Sequence, residues 1–188
     1  MKYVQPPFPG PDFQVTVRQS VAHDRPPSHR RMPALGITQL DFFALLPGLG
    51  MEWPPPELAR DIRSARQSVW VIAPWFTDTS LARALTFSRA PEKVLIIGDA
   101  DSGRRASLAL CQVASYPEIG VYRVGSAEAL MHSKRITIDD SIAWFGSANP
   151  TRGARRNHEE LWRQVGGADI YREQNEYLKR IGRRLAAG

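Results

Sequence analysis

The chain of 188 residues contains a single cysteine, Cys111. No intrachain disulfide can form, and a cysteine-based zinc site is excluded. Cys111 stands in "SLALCQVA", an apolar pattern at helical spacing, and reads as a small core residue. Long hydrophobic runs are missing too. The longest, "FFALLPGLGM", spans ten residues and is broken by Pro47, too short to cross a bilayer. The opening "MKYVQPPFPGPDF" has no apolar run ahead of a cleavage-like site, so no secretory signal is expected, and a cytoplasmic protein is. There are only four histidines, with no cysteine partner and no ligand cluster, so neither a metal nor another cofactor is expected.

What is present is basic. The net charge is +6 and the isoelectric point about 9.9, which suits an anionic partner, nucleic acid first and an acidic membrane surface second. Eleven of the 15 prolines fall within residues 1–56. Proline fixes φ and removes a backbone donor, so this third reads as an irregular arm that drapes over the domain or a partner. "ITQLDFFALL" is its one candidate short helix. From residue 57 to 188 the signals alternate. "PELARDIRSARQ" sets Leu58, Ile62 and Ala65 on one helical face, and "SVWVIAPW" is a short apolar run of β-formers. "DTSLARALTFSRA", "KVLIIGD", "SGRRASLALCQVASY" and "IGVYRVG" repeat that order. Helices alternating with apolar strands predict an α/β layered sheet. The tail "DIYREQNEYLKRIGRRLAA" spaces Ile170, Tyr177, Leu178, Ile181 and Leu185 as one face of an amphipathic helix.

One stretch concentrates chemistry. "HSKRITI" and "SIAWFGSAN" are β-compatible runs joined through "DD", the pattern of a hairpin. Side chains alternate along a strand, so His132 and Lys134 share a face, as do Ser147 and Asn149. A two-residue loop at Asp140-Ser141 pairs His132 with Asn149 and Lys134 with Ser147, while a loop one residue longer changes the faces. On the simpler register an imidazole, an ammonium, a hydroxyl and a carboxamide converge on a phosphate-sized spot. A phosphodiester repels anionic nucleophiles, so a neutral imidazole suits the attack. Lys134, Asn149 and Ser147 offer donors to the non-bridging oxygens.

His132-x-Lys134, four residues, Asp139, six residues and Gly146-Ser147-x-Asn149 resemble the H-x-K-x4-D-x6-G-S-x-N signature of the phospholipase D superfamily. "RRNHEE" adds Asn157 and Glu159, similar to the N-x-E that follows the signature in its small single-motif endonucleases. The likeness covers about residues 57–166. It implies a phospholipase D-like layered fold, a mixed β-sheet flanked by helices. It further implies that His132 is the nucleophile forming a phosphohistidine, or in another copy the acid for the leaving oxygen. Lys134 and Asn149 would clamp the phosphate, Ser147 would support them, and Glu159 would hold an imidazole tautomer. Asp139, at the strand's far end and roughly 17–23 Å from His132 at about 3.3 Å per residue, reads as a structural turn or charge-pairing residue.

The chemistry calls for two imidazoles and the chain has one H-x-K, since His23 and His29 lie in the arm and His158 has no lysine partner. A homodimer facing two His132 residues follows. A different protein supplying the second motif is the other possibility. Three functions are open: a nuclease for DNA ahead of RNA, a phospholipase or phosphatidyl transferase, or a non-catalytic nucleic-acid-binding or scaffold subunit. The basic balance favours the first, with Arg152, Arg155 and Arg156 placed to track flanking phosphates. The lipid reading needs an apolar approach near the motif, for which "SAEALMHS", Trp75 and Phe76 are candidates. The intact histidine, lysine, asparagine and glutamate argue against the third. Trp53, Trp70, Trp144 and Trp162 read as packing residues, and Asp99 and Asp101 as the start of a turn and helix.

Overall fold

The computed structural model describes residues 14–15, 36–45, 53–98, 107–125 and 131–185. Asp99, Asp101, His23, His29 and the segment 126–130 lie outside them. In chain order the elements are strands β1 (Gln14–Val15) and β2 (Gln39–Leu45), helix α1 (Pro56–Ser64), strand β3 (Ser68–Ala73), helix α2 (Thr79–Thr86), strand β4 (Glu92–Gly98) and helix α3 (Leu108–Ala114). Strands β5 (Ile119–Val124), β6 (Arg135–Ile138), β7 (Ile142–Gly146) and β8 (Glu159–Val165) follow, then helix α4 (Arg172–Ile181) and a short β9 (Arg183–Arg184). Among the described residues the strands form one mixed sheet in the order β1-β2-β8-β7-β6-β3-β4-β5-β9. β3, β4 and β5 run parallel and the remaining pairs antiparallel. This is the layered α/β fold expected from the alternating signals.

Period-2 alternation decides what each face buries. Val69, Val71, Leu95, Ile97, Ile136 and Trp144 point into the larger core beneath α1, α2 and α3. Trp70, Ile72, Val94 and Ile96 point the other way, into a smaller cluster with Val124 and Met131 against which Leu178 of α4 packs. Both faces are covered, which is why β3 and β4 read as unbroken apolar runs. Asp78 starts α2, its carboxylate accepting from the backbone N–H groups of Ser80 and Leu81 at 2.8 and 3.0 Å. Such a cap contributes about 1 kcal/mol.

Four expectations change. "ITQLDFFALL" is not a helix. Residues 39–45 form β2, paired along their length with β8 (Phe42 opposite Trp162, Gln39 opposite Val165). Phe42 stacks on Trp162 at 4.6 Å and Phe43 on Trp144 at 5.1 Å, and cross-strand aromatic pairs of this kind outweigh local helix propensity. Cys111 is exposed on α3 while Ala109, Leu110 and Val113 are buried. The terminal helix stops at Ile181, because Gly182 is extended and the next two residues join the sheet edge beside β5. Finally, Ile170, Tyr177 and Ile181 are exposed, and the buried side of α4 is built on Asn175 and Leu178. The reason lies opposite, where the α4-facing side of β6 carries Arg135 and Thr137. Asn175 satisfies both, accepting from Arg135 Nε at 2.9 Å and donating to Thr137 Oγ1 at 3.0 Å. Trp53, Trp70 and Trp144 are buried, as packing residues should be.

Candidate active site

Three strand ends meet at the carboxyl end of β3, where ligands gather in open α/β sheets. β6 runs antiparallel to β3 with Arg135 opposite Ile72, so His132, Ser133 and Lys134 lie just beyond β3's last residues. β7 ends at Gly146 beside Leu161 of β8, which brings Ser147–Asn149 to the same end as Glu159. Gly146 is obligatory there, since a Cβ would lie 2.0 Å from the Glu160 carbonyl oxygen. The 75–78 loop closes against this corner, with the N–H groups of Thr77 and Asp78 donating to Pro150 O at 3.0 and 3.1 Å.

The hairpin differs from the simpler register. Ile138 pairs with Ile142 and Arg135 with Phe145, so the loop is the three residues 139–141. Asp139 and Asp140 take left-handed φ angles of 52° and 50°, a region aspartate tolerates. His132 therefore does not pair with Asn149, nor Lys134 with Ser147. The ladder stops at Arg135, and irregular chain carries the motif residues to the site.

Two groups result. His132 is exposed, and Lys134 Nζ lies 3.3 Å from each of its ring nitrogens and 3.2 Å from its backbone oxygen. The second group centres on Glu159. Ser147 Oγ donates to Glu159 Oε2 at 2.5 Å while accepting from the Glu160 N–H at 2.9 Å, and Asn157 Nδ2 donates to Oε1 at 3.1 Å. The one hydroxyl hydrogen of Ser147 thus points at the carboxylate. Electrostatics join the groups, because burial pushes the Lys134 ammonium below the ordinary lysine value while the Glu159 charge opposes that shift. The Asn149 carbonyl Oδ1 is buried without a partner among the described residues, so that oxygen is not consumed by a structural hydrogen bond.

Asp139 stands apart. Its carboxylate accepts from the backbone N–H groups of Arg66, Gln67 and Ser68 at 2.8–3.1 Å, tying the α1–β3 connection to the hairpin tip. Arg152, Arg155 and Arg156 lie on a 3-10 turn directly after Asn149, all three exposed, with Ala154 buried beneath. His158 is exposed. Phe76 is buried, whereas Trp75 is 40% exposed. Among the described residues no group of three or more His, Cys, Asp or Glu side chains is arranged to hold a metal, and no helix is long and apolar enough to cross a membrane.

Sequence reasoning missed Asn157 as a clamp on Glu159, and it missed Arg135. The guanidinium of Arg135 is buried beside the motif, 5.6 Å from the Tyr171 ring centroid. Burial presses it below the ordinary arginine value. The alternation Arg135-Ile136-Thr137-Ile138 signals one polar face, but nothing local says that a helix covers it.

The family model described as cardiolipin synthase, PLD-like domain, matches residues 58–181. No curated protein sequence matches the chain. Among solved structures it is similar to Nuc from Salmonella typhimurium, a phospholipase D family member, at 20% identity and a TM-score of 0.67. That match covers 78% of this chain and 97% of Nuc. NucT from Helicobacter pylori matches at 24% identity and a TM-score of 0.62, over 76% of this chain and 94% of NucT. Phosphatidylserine synthase from Haemophilus influenzae matches at 13% identity and 0.56, over 79% of this chain and 40% of the synthase. With the family model spanning well over half its length and the same layered sheet in each of these structures, the chain belongs to the phospholipase D-like superfamily and has its phosphodiesterase fold.

Proposed function

We propose that the chain is a metal-independent phosphodiesterase that cuts nucleic acid, DNA ahead of RNA, at an active site completed by a second copy of itself. The observation that carries this reading is the contact of the Lys134 ammonium with the exposed His132 ring, beside a carboxamide and a clamped carboxylate. His132 attacks phosphorus, forming a P–N bond as the P–O bond to the leaving oxygen breaks. His132 of the second copy gives that oxygen its proton. Water then attacks the phosphohistidine, losing its proton to the second imidazole, and the P–N bond breaks to restore His132. Lys134 and Asn149 stabilise the charge on the non-bridging oxygens. Glu159, held by Ser147 and Asn157, is the counter-charge of the site, supporting the ammonium and the imidazolium that forms in turn; Ser147 works through it. The exposed arginines after Asn149 and the net charge of +6 favour a polyanionic substrate. A lipid phosphodiester is the second reading, favoured by the exposed Trp75 near the same corner.

The direct test is to trap a radiolabelled phospho-enzyme after acid quench, offering DNA, RNA and phosphatidylcholine vesicles in parallel, each with EDTA. Label on His132 from DNA, undiminished by EDTA, is expected. Label from vesicles alone would move the substrate to lipid. No label from any of them, with no turnover, would leave a binding subunit.

A pH profile tests the counter-charge. Lys134 must be protonated to hold the phosphate, so in a His132→Ala background, where the imidazole is absent, affinity for a phosphodiester should fall as pH rises through its lowered pKa, with the alkaline limb below the usual lysine range. Glu159 holds that pKa up, and Glu159→Gln should therefore move the limb to lower pH. An unmoved limb would show that the carboxylate does not act on the ammonium.

A further inference from the structure

The loop that leaves β3 presents an aromatic ring at the site. Trp75 is 40% exposed, while Phe76 and Asp78 beside it are buried. Ile72 opposite Arg135 is the last pair of the β3–β6 ladder, and Trp75 and His132 each stand three residues beyond it. The two are therefore level with one another at the carboxyl end of β3. Three neighbours pin the loop around the ring. From β4, the Gly98 N–H donates to Pro74 O at 3.1 Å. On the side of the clamp, Thr77 and Asp78 donate to Pro150 O, and the Arg152 N–H donates to Thr77 Oγ1 at 3.2 Å. From the start of α3, Ser107 Oγ donates to Phe76 O at 2.7 Å, and Leu108, next in the chain, is 76% exposed. A ring carried on so fixed a loop needs little further ordering when a ligand lies on it.

The charges beside the ring select its occupant. Arg152, whose N–H is tied to this loop, is exposed with Arg155 and Arg156 on the turn after Asn149. An aromatic face next to a phosphate clamp and a run of guanidinium groups suits a strand that repeats a phosphate and a flat base at every step. In a duplex each base is covered above and below and paired at its edge, so only an unpaired base can lie on the ring. We propose that Trp75 is a stacking platform for the base next to the scissile phosphate, so that the site selects single-stranded nucleic acid. This inference deepens the nucleic-acid reading of the same site and rests on it.

Binding in a His132→Ala background, where the strand is not cut, reads the contact. A short oligothymidylate is expected to bind at least about fivefold tighter than an abasic strand of the same length, the effect of one stacked base. Trp75→Ala should reduce that preference by the same factor, and Trp75→Phe should keep the greater part of it. A long duplex should bind with and without the indole alike. With His132 present, the ratio of kcat/KM for single strand over duplex should fall in Trp75→Ala. Should that variant fail to fold, the abasic comparison and Trp75→Phe carry the test. Loss of duplex and single-strand affinity in step would make Trp75 a prop of the loop and overturn the platform. An abasic strand bound as tightly as oligothymidylate would also overturn it and leave the nucleic-acid reading standing. Trp75→Ala that releases mixed phosphatidylcholine–phosphatidylglycerol vesicles, with the preference for bases intact, would assign the ring to lipid instead. No binding of any strand would overturn the nucleic-acid reading itself.

Discussion

Replacing His132 with alanine is expected to lower phosphodiester turnover by at least about 10³-fold, the range of a lost positioned proton donor compounded by the lost nucleophile. The melting temperature should not move, because the ring is exposed and lies against the Lys134 ammonium. Mixing makes the test sharper. If each site uses both imidazoles, an excess of His132→Ala protein allowed to exchange subunits with wild type should suppress wild-type activity nearly completely, since a mixed pair retains only one ring. Activity falling merely in proportion to dilution would mean that one chain suffices, and full activity in the variant itself would remove His132 from the chemistry.

The second large effect is on stability. Arg163 of β8 donates from Nε to Asp61 of α1 at 2.7 Å and from Nη1 to Asp41 of β2 at 3.3 Å. Trp144 Nε1 donates to the same Asp61 oxygen at 2.9 Å. The guanidinium is held above its ordinary value, first by the hydrogen bond to Asp61, so it stays charged at every accessible pH. The side chains of Arg163 and Asp61 are only 17% and 11% exposed. Removing one partner from so enclosed an ion pair leaves uncompensated charge. Arg163→Ala should therefore cost on the order of 3–5 kcal/mol, read as a lower urea midpoint with an unchanged slope. Arg163→Lys restores charge without the planar fork that spans two carboxylates and should recover only part of the loss. A stability loss under about 1 kcal/mol would show these charges to be effectively solvated.

That cluster also shows how far the one-dimensional pattern reaches. Nothing in "ITQLDFFALL" distinguishes an isolated amphipathic helix from a strand. What makes it a strand is β8, which offers Trp162 to Phe42 and Arg163 to Asp41 from more than a hundred positions away. β3 and β4 could be read directly, because a strand covered on both faces reads as a near-continuous apolar run. α1 and α2 were equally legible, since helical spacing and a capping aspartate are local signals.

The H-x-K and G-S-x-N spacings, the single histidine beside a lysine, and the order of helices and strands are properties of the chain itself. They determine the fold class and the residue types available for phosphodiester chemistry, because covalent order and side-chain period need no partner to be expressed. Tertiary structure alone decided the rest: the three-residue hairpin loop, the turning of Ser147 toward Glu159, and the burial of Asn175 in place of Ile170, Tyr177 and Ile181. Each depends on which polar group on a distant element must be satisfied, and a buried donor or acceptor takes its partner from whatever the fold brings within about 3 Å.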